Sequence, residues 1–141
     1  MHFEYRVQGG DFVRAGQASS QVKKILKQLN VSPSIIKRVV VALYEGEVNI
    51  VAHAFQGKIY VDIDTDKIRV VLDDVGPGIP DIDLAMKPGF STSSPIVREM
   101  GFGAGMGLPN IKQNTDKMKI ASVVGVGTRL EFEVNLKEWW R

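Results

Sequence analysis

The feature that most constrains the fold is a long helix announced at Ser32-Pro33, a hydroxyl residue ahead of a proline at the first helical position. The pattern predicts a helix to about Ala54, which at about 1.5 Å per residue is the longest element of the chain. At about 100° per residue, Ile36, Val39, Val40, Leu43, Tyr44, Val48, Ile50, Val51 and Phe55 cover more than half of its circumference. Most of this helix is therefore core. One narrow face remains, carrying Arg38, Ala42, Glu45, Asn49 and His53. Glu47 falls inside the apolar arc, where a buried carboxylate needs a partner that the sequence does not name.

What encloses this helix is legible on both sides of it. Phe3 to Val7 alternates as a strand and ends at the turn signal Gly9-Gly10. Ala18 to Leu29 reads as a helix, with Ser19 or Ser20 as its cap and Val22, Ile25, Leu26 and Leu29 at helical spacing. Downstream, Lys58–Asp64 and Lys67–Asp73 alternate with period two around Asp64-Thr-Asp66, a β-hairpin with Ile59, Val61, Ile63, Ile68, Val70 and Leu72 on one side. Asp81 to Met86 reads as a short helix capped by Asp81, and Lys87 to Gly101 as a lid-like loop. Leu108 to Asp116 reads as a helix, followed by strands at Met118–Val124 and Thr128–Leu136 around Gly125-Val-Gly127. This order predicts an α+β two-layer sandwich, with helices on one face of a mostly antiparallel sheet.

With 141 residues, 44% of them hydrophobic and 24% charged, the chain fits one compact globular domain. A formal charge of +2 gives no case for nucleic acid, and the lack of cysteine excludes disulfides and thiolate metal sites. No apolar run approaches the roughly 20 residues of a membrane span, and no signal core opens the chain, so the expected location is cytoplasmic.

Four stretches carry chemistry. Glu45 and Asn49 lie four residues apart on one helical side. An amide oxygen suits Mg²⁺, and a carboxylate one turn away can polarise an attacking hydroxyl or water, although a solvated polar face has the same pattern. Asp74-x-Gly76-x-Gly78 ends a strand, where the aspartate can accept from an exocyclic amine such as adenine N6; an ordinary turn fits equally well. Gly101-Phe-Gly-Ala-Gly-Met-Gly-Leu108 places four glycines at alternate positions ahead of a helix, which suits close backbone approach to phosphate. It lacks the Gly-Lys-Ser/Thr of a P-loop and the βαβ setting of a dinucleotide site, while its interleaved apolar residues argue against a plain linker. Gly125-x-Gly127-Thr128 is a hairpin turn whose threonine could join an adenine network.

Taken in order, these stretches resemble the GHKL ATPase superfamily, over roughly Ser32 to Leu136. Glu45-x-x-x-Asn49 looks like its N box, Asp74-x-Gly76-x-Gly78 its first glycine box, Gly101–Leu108 its second and Gly127-Thr128 its third. Within it the chain resembles the small serine kinases of bacterial partner-switching modules, the RsbW, RsbT and SpoIIAB group, nearest the RsbT-like branch.

The resemblance implies a Bergerat fold over residues 1–141, with an ATP lid at roughly 79–107, in a free-standing domain without a phosphoacceptor-histidine hairpin or a transducer domain. It implies an ATP/ADP- and Mg²⁺-binding serine/threonine protein kinase and anti-sigma factor that phosphorylates a STAS-type antagonist. The alternative is a nucleotide-controlled module gripping a sigma factor, a phosphatase or another enzyme. Glu45 becomes the general base and Asn49 the Mg²⁺ ligand. Asp74 holds adenine N6, with Thr128 supporting it through a hydroxyl or a water, Gly78 packing beside the ring and Gly76 in the same turn. Gly101, Gly103, Ala104, Gly105, Met106, Gly107 and Leu108 form the phosphate-binding run. His53 is expected to be structural or lid-adjacent. Homodimers are common in the group, and the Trp139-Trp140 tail or the outer sheet face could serve one.

Overall fold

The structure is a computed structural model and describes residues 1–88 and 107–137. The expectations for Gly101, Gly103, Ala104, Gly105, Met106 and Trp139-Trp140, and most of the expected lid, lie outside the described residues.

Five strands build one sheet: β1 (His2–Gln8), β2 (Gln56–Ile63), β3 (Lys67–Val75), β4 (Lys117–Val123) and β5 (Gly127–Asn135), in the spatial order β1-β2-β3-β5-β4. Every neighbouring pair is antiparallel. The turn between β2 and β3 is held by Asp64, whose Oδ1 accepts from Asp66 N at 2.7 Å and from Lys67 N at 2.8 Å. These bonds hold the Asp64 carboxyl below the usual carboxylate range. Such a turn is what an aspartate opening a short loop favours.

Helices α1 (Gln17–Gln28), α2 (Pro33–His53) and α4 (Gly107–Gln113) cover one face of the sheet, and the short α3 (Ile82–Ala85) follows β3. Asp81 caps α3 as its sequence predicts, accepting from Leu84 N at 3.0 Å. The core lies between the layers: Val22, Leu26, Ile35, Val39, Leu43 and Ile50 from the helices meet Ile59, Val61, Ile68, Val70, Phe132 and Val134 from the sheet. Burial of apolar area at about 25 cal/mol per Å² makes this contact the dominant stabilising term. The opposite sheet face is charged, with Lys67–Glu133 at 2.8 Å, Arg129–Asp73 at 3.5 Å and an Arg69–Glu131 pair bridging strands. Solvent and salt screen such exposed pairs, so they contribute little to stability.

Three local expectations are corrected. Helix α1 begins with Gly16 as its N-cap, at φ 99°, rather than with a capping serine; Ser19 lies inside the first turn. Ser32 precedes Pro33 as expected, but its hydroxyl makes no cap bond. Tyr44 and Phe55, both expected in the apolar arc, are 39% and 68% exposed, whereas Ala42, which the spacing puts in the polar stripe, is fully buried. Phe55 lies past the helix end, where its backbone N–H donates to Val75 O. A second helix also packs on α2: α4 sits against its polar stripe and encloses part of what a lone helix would expose.

Candidate functional site

Helix α2 is the spine of the site. Glu45 and Asn49 project from it side by side, and the first residue of α4 closes upon them. A Cβ at Gly107 would stand 3.2 Å from Asn49 Oδ1 and 3.5 Å from Glu45 Oε2. The missing side chain is thus what lets the backbone entering α4 lie against both polar groups. Leu108 and Ile111 anchor that helix in the core. Asn110, one turn after Gly107, donates from Nδ2 to Glu45 Oε1 at 3.3 Å.

The second part of the site is at the end of β3. Because β3 pairs with β5, Asp74 comes beside Thr128, and Asp74 Oδ1 accepts from Thr128 N at 3.0 Å. The carboxylate is half-buried. Desolvation pushes its pKa up, a rise which the Thr128 N–H opposes and the neighbouring Asp73 charge reinforces. The Thr128 hydroxyl turns away from Asp74 to Ser122 Oγ, 2.8 Å distant. Thr128 therefore holds Asp74 through its backbone, not through its side chain.

The glycines here make room for protein. A Cβ at Gly127 would fall 2.0 Å from Asp74 O, and one at Gly78, which has φ 75°, 2.5 Å from Val123 O. One at Gly76 would lie 3.0 Å from Ala54 Cα, so the turn after β3 packs against the end of α2. Backbone bonds from Gly76 N to Val126 O (3.0 Å) and Gly125 N to Pro77 O (2.8 Å) stitch that turn to the β4–β5 hairpin.

Both parts therefore meet one helix. Glu45 and Asn49 lie at mid-helix, and the Asp74–Gly76 turn sits against its C-terminal end. From Glu45 to Ala54 is nine residues, or about 13 Å of helix. His53 lies between, part-buried, and burial pushes its pKa below the usual histidine value.

Three residues escaped the sequence reading. Ser122 receives Ile79 N at 2.7 Å and contacts Thr128, joining the turn after β3 to the hairpin. Its signal was a lone hydroxyl at an inward position after Met118 and Ile120. Asn110 lies just past the glycine-rich stretch, and its signal is that an asparagine within a helix is a weak helix former that needs a reason. Glu47 stands in the apolar arc of α2 with a partner that no local pattern names. It is 2% exposed and takes Ala18 N at 3.1 Å, Ser19 N at 3.2 Å and Ser19 Oγ at 2.7 Å. It serves as the missing cap of α1, supplied from another helix to the orphan N–H groups of the first turn.

The sequence pattern of the family described as histidine kinase-, DNA gyrase B-, and HSP90-like ATPase matches residues 31–138. The chain belongs to this family. Within the ATPase family it is similar to the serine/threonine-protein kinase RsbT of Bacillus subtilis, with 33% identity over 125 residues and 86% of each chain covered. It is also 30% identical over 116 residues to the anti-sigma F factor of a Thermoanaerobacter species, covering 79% of this chain and 78% of that one. The fold is similar to that of a mycobacterial sensor histidine kinase, MprB, with a TM-score of 0.55, 15% identity, and 96% and 97% of the two chains covered. The α+β sandwich with its antiparallel sheet is thus the fold of this ATPase family, and the chain groups with RsbT and the anti-sigma F factors. No helix among the described residues is long and apolar enough to cross a membrane.

Proposed function

We propose that residues 1–141 form a single ATP- and Mg²⁺-dependent serine/threonine protein kinase domain that acts as an anti-sigma regulatory factor and phosphorylates a STAS-type antagonist. The observation that carries this reading is the meeting of Glu45, Asn49 and the backbone at Gly107 in one place. Phosphoryl transfer rests mainly on positioning and charge neutralisation. Here Glu45 takes the proton of the acceptor serine hydroxyl as its oxygen bonds to the γ-phosphorus. The bond from that phosphorus to the bridging oxygen breaks, and ADP leaves. Asp74 accepts from the adenine amine, with the turn at Gly76 and Gly78 beside the base, and Thr128 keeps the carboxylate in place. The run from Gly101 to Leu108 is assigned to the phosphates.

Asn49 fits Mg²⁺ chemically, because its side-chain oxygen is a hard ligand. Among the described residues no group of three or more His, Asp or Glu could hold a metal. A cation at Asn49 would therefore complete its sphere with phosphate oxygens and water, as Mg²⁺ commonly does. Bound there, Mg²⁺ would neutralise phosphate charge during transfer.

The test is transfer of labelled phosphate from ATP to purified STAS-domain proteins of the same cell. The native chain should label one of them, and Glu45→Gln should slow labelling by roughly 10²-fold or more while ADP still binds. Full labelling by Glu45→Gln would remove the base assignment.

A second reading rests on the anti-sigma F factor relatives: the domain grips a sigma factor, phosphatase or other enzyme under nucleotide control. Pull-down with and without ATP separates the two. Nucleotide-dependent capture of a partner that is never phosphorylated favours the second.

A further inference from the structure

We propose that Asn110 is a positioning residue for the phosphoryl-transfer step: its side-chain amide tethers Glu45 Oε1 and leaves Oε2 as the oxygen that receives the acceptor's proton. The inference rests on the base reading of Glu45 and specifies which residue aims that base.

The two carboxylate oxygens of Glu45 have different surroundings. Oε1 takes the Asn110 Nδ2 proton at 3.3 Å, whereas Oε2 faces the position where Gly107 has no side chain, 3.5 Å from a Cβ placed there. One oxygen is thus tied to α4 by a hydrogen bond, and the other lies beside the bare Cα of Gly107 with no hydrogen bond among the described residues. Glutamate has three side-chain torsions, and an untethered carboxylate would spread over several rotamers. A base must come within hydrogen-bond reach of its proton, so a fixed rotamer raises the fraction of productive encounters.

The chemistry of the tether also suits the task. An arginine or lysine in this place would hold the carboxylate more firmly, but its charge would strongly favour the ionised form and weaken the base. A neutral amide orients the carboxylate without a full opposite charge. Asn110 itself is held on α4, where its backbone oxygen accepts from Asn114 Nδ2 at 2.8 Å. Asn110 stands three residues after Gly107, on the same side of the helix. The helix that begins with Gly107 therefore brings both the bare glycine backbone and the tether to Glu45, and the aim of the base depends on α4 being seated.

Single-turnover hydrolysis of ATP with MgCl₂, with water as acceptor, provides a partner-free readout in the whole chain. Asn110→Ala is expected to lower the hydrolysis rate about tenfold with ADP affinity unchanged. Asn110→Asp, which keeps the shape but replaces the donor with a like charge, should lower it further. Asn110→Ala should add nothing when placed in Glu45→Gln, since the aim no longer matters once the base is gone. An additional tenfold loss in that background, or an undiminished rate for Asn110→Ala in the native background, overturns the proposal. Native-like hydrolysis by Glu45→Gln alone overturns the base reading instead, which keeps the two failures apart. An independent check is the side-chain ¹⁵NH₂ resonance of Asn110. It should move in Glu45→Gln, and an unmoved resonance would show that the tether does not form in solution.

Discussion

Glu45 and Glu47 stand two residues apart on α2 and differ in almost everything else. Residues so spaced on a helix face different neighbours. Glu47 points at α1, is 2% exposed, and has both oxygens engaged by three donors from Ala18 and Ser19. Glu45 points at α4, is part-buried, and receives one neutral donor, Asn110, on one oxygen. A carboxylate whose acceptor sites are filled by the protein holds structure together. One that keeps an oxygen without a hydrogen bond, beside the bare Cα of Gly107, remains available for chemistry. The same residue type on the same helix is divided into two roles by what packs against each side.

The strongest way to break this contrast is to exchange the losses. Glu45→Gln should lower phosphoryl transfer by roughly 10²-fold or more, the usual contribution of a positioned base, with denaturation midpoints close to native. Glu47→Ala should do the reverse. It leaves the first-turn donors of α1 without their acceptor, at a cost of about 3 kcal/mol in unfolding free energy, while the folded fraction still binds ADP. A stable Glu47→Ala protein, or a strongly destabilised Glu45→Gln one, would end the division of roles. Asn110→Ala, expected to reduce hydrolysis about tenfold, then sharpens it by asking whether the single donor on Glu45 guides chemistry.

A third carboxylate, Asp74, lies between these extremes. Burial raises its pKa above the ordinary aspartate value. An adenine amine donating to it would favour the ionised form and pull the pKa back down. By linkage, ADP affinity should then strengthen as pH rises through the Asp74 titration, and this component should vanish in Asp74→Asn. Titration calorimetry giving the same pH profile for both proteins would count against Asp74 as the adenine acceptor.

The smallest effects concern the two histidines, and they have opposite signs. His2 is raised first by its hydrogen bond to Asp62 and then by that to Glu4, whereas His53 is lowered by burial. The His2 contribution to stability is full below the ordinary histidine pKa and fades as pH rises through its raised value. That of His53 is present above the ordinary value and is lost as pH falls through its lowered one. Proton NMR titration should find the two midpoints on opposite sides of about 6.5. Coincident midpoints would contradict both assignments of environment.

Much of the fold was legible because its signals are local. The alternation of Ile59, Val61 and Ile63 with Ile68, Val70 and Leu72, the proline at Pro33 and the cap at Asp81 each act within a few residues. The site was partly legible for a similar reason: Glu45 and Asn49 are one helical turn apart. Errors arose where a second element covered a position that spacing alone exposes, as α4 does along the polar stripe holding Ala42. At the start of α1, Ser19 looked like a cap by residue type, but Gly16 takes that position and Glu47 accepts the donors.

By itself the sequence determined the helices, the two hairpins, the glycine-rich stretches and the order in which Glu45, Asn49, Asp74 and Gly107 occur. Periodicity and turn chemistry are short-range, and residues three or four apart on a helix must share a side. Tertiary structure decided which distant groups meet. The β3–β5 pairing sets Thr128 beside Asp74 across 54 residues of chain, the seating of α4 sets Asn110 on Glu45 across 65, and the seating of α1 sets Ser19 on Glu47 across 28. Such contacts have no local signal, because they form only when the apolar faces of separate elements are buried together. The hydrophobic effect that drives this burial has no direction of its own. Strand register and helix packing supply the direction, and they turn one of two neighbouring carboxylates into a cap and leave the other beside Gly107.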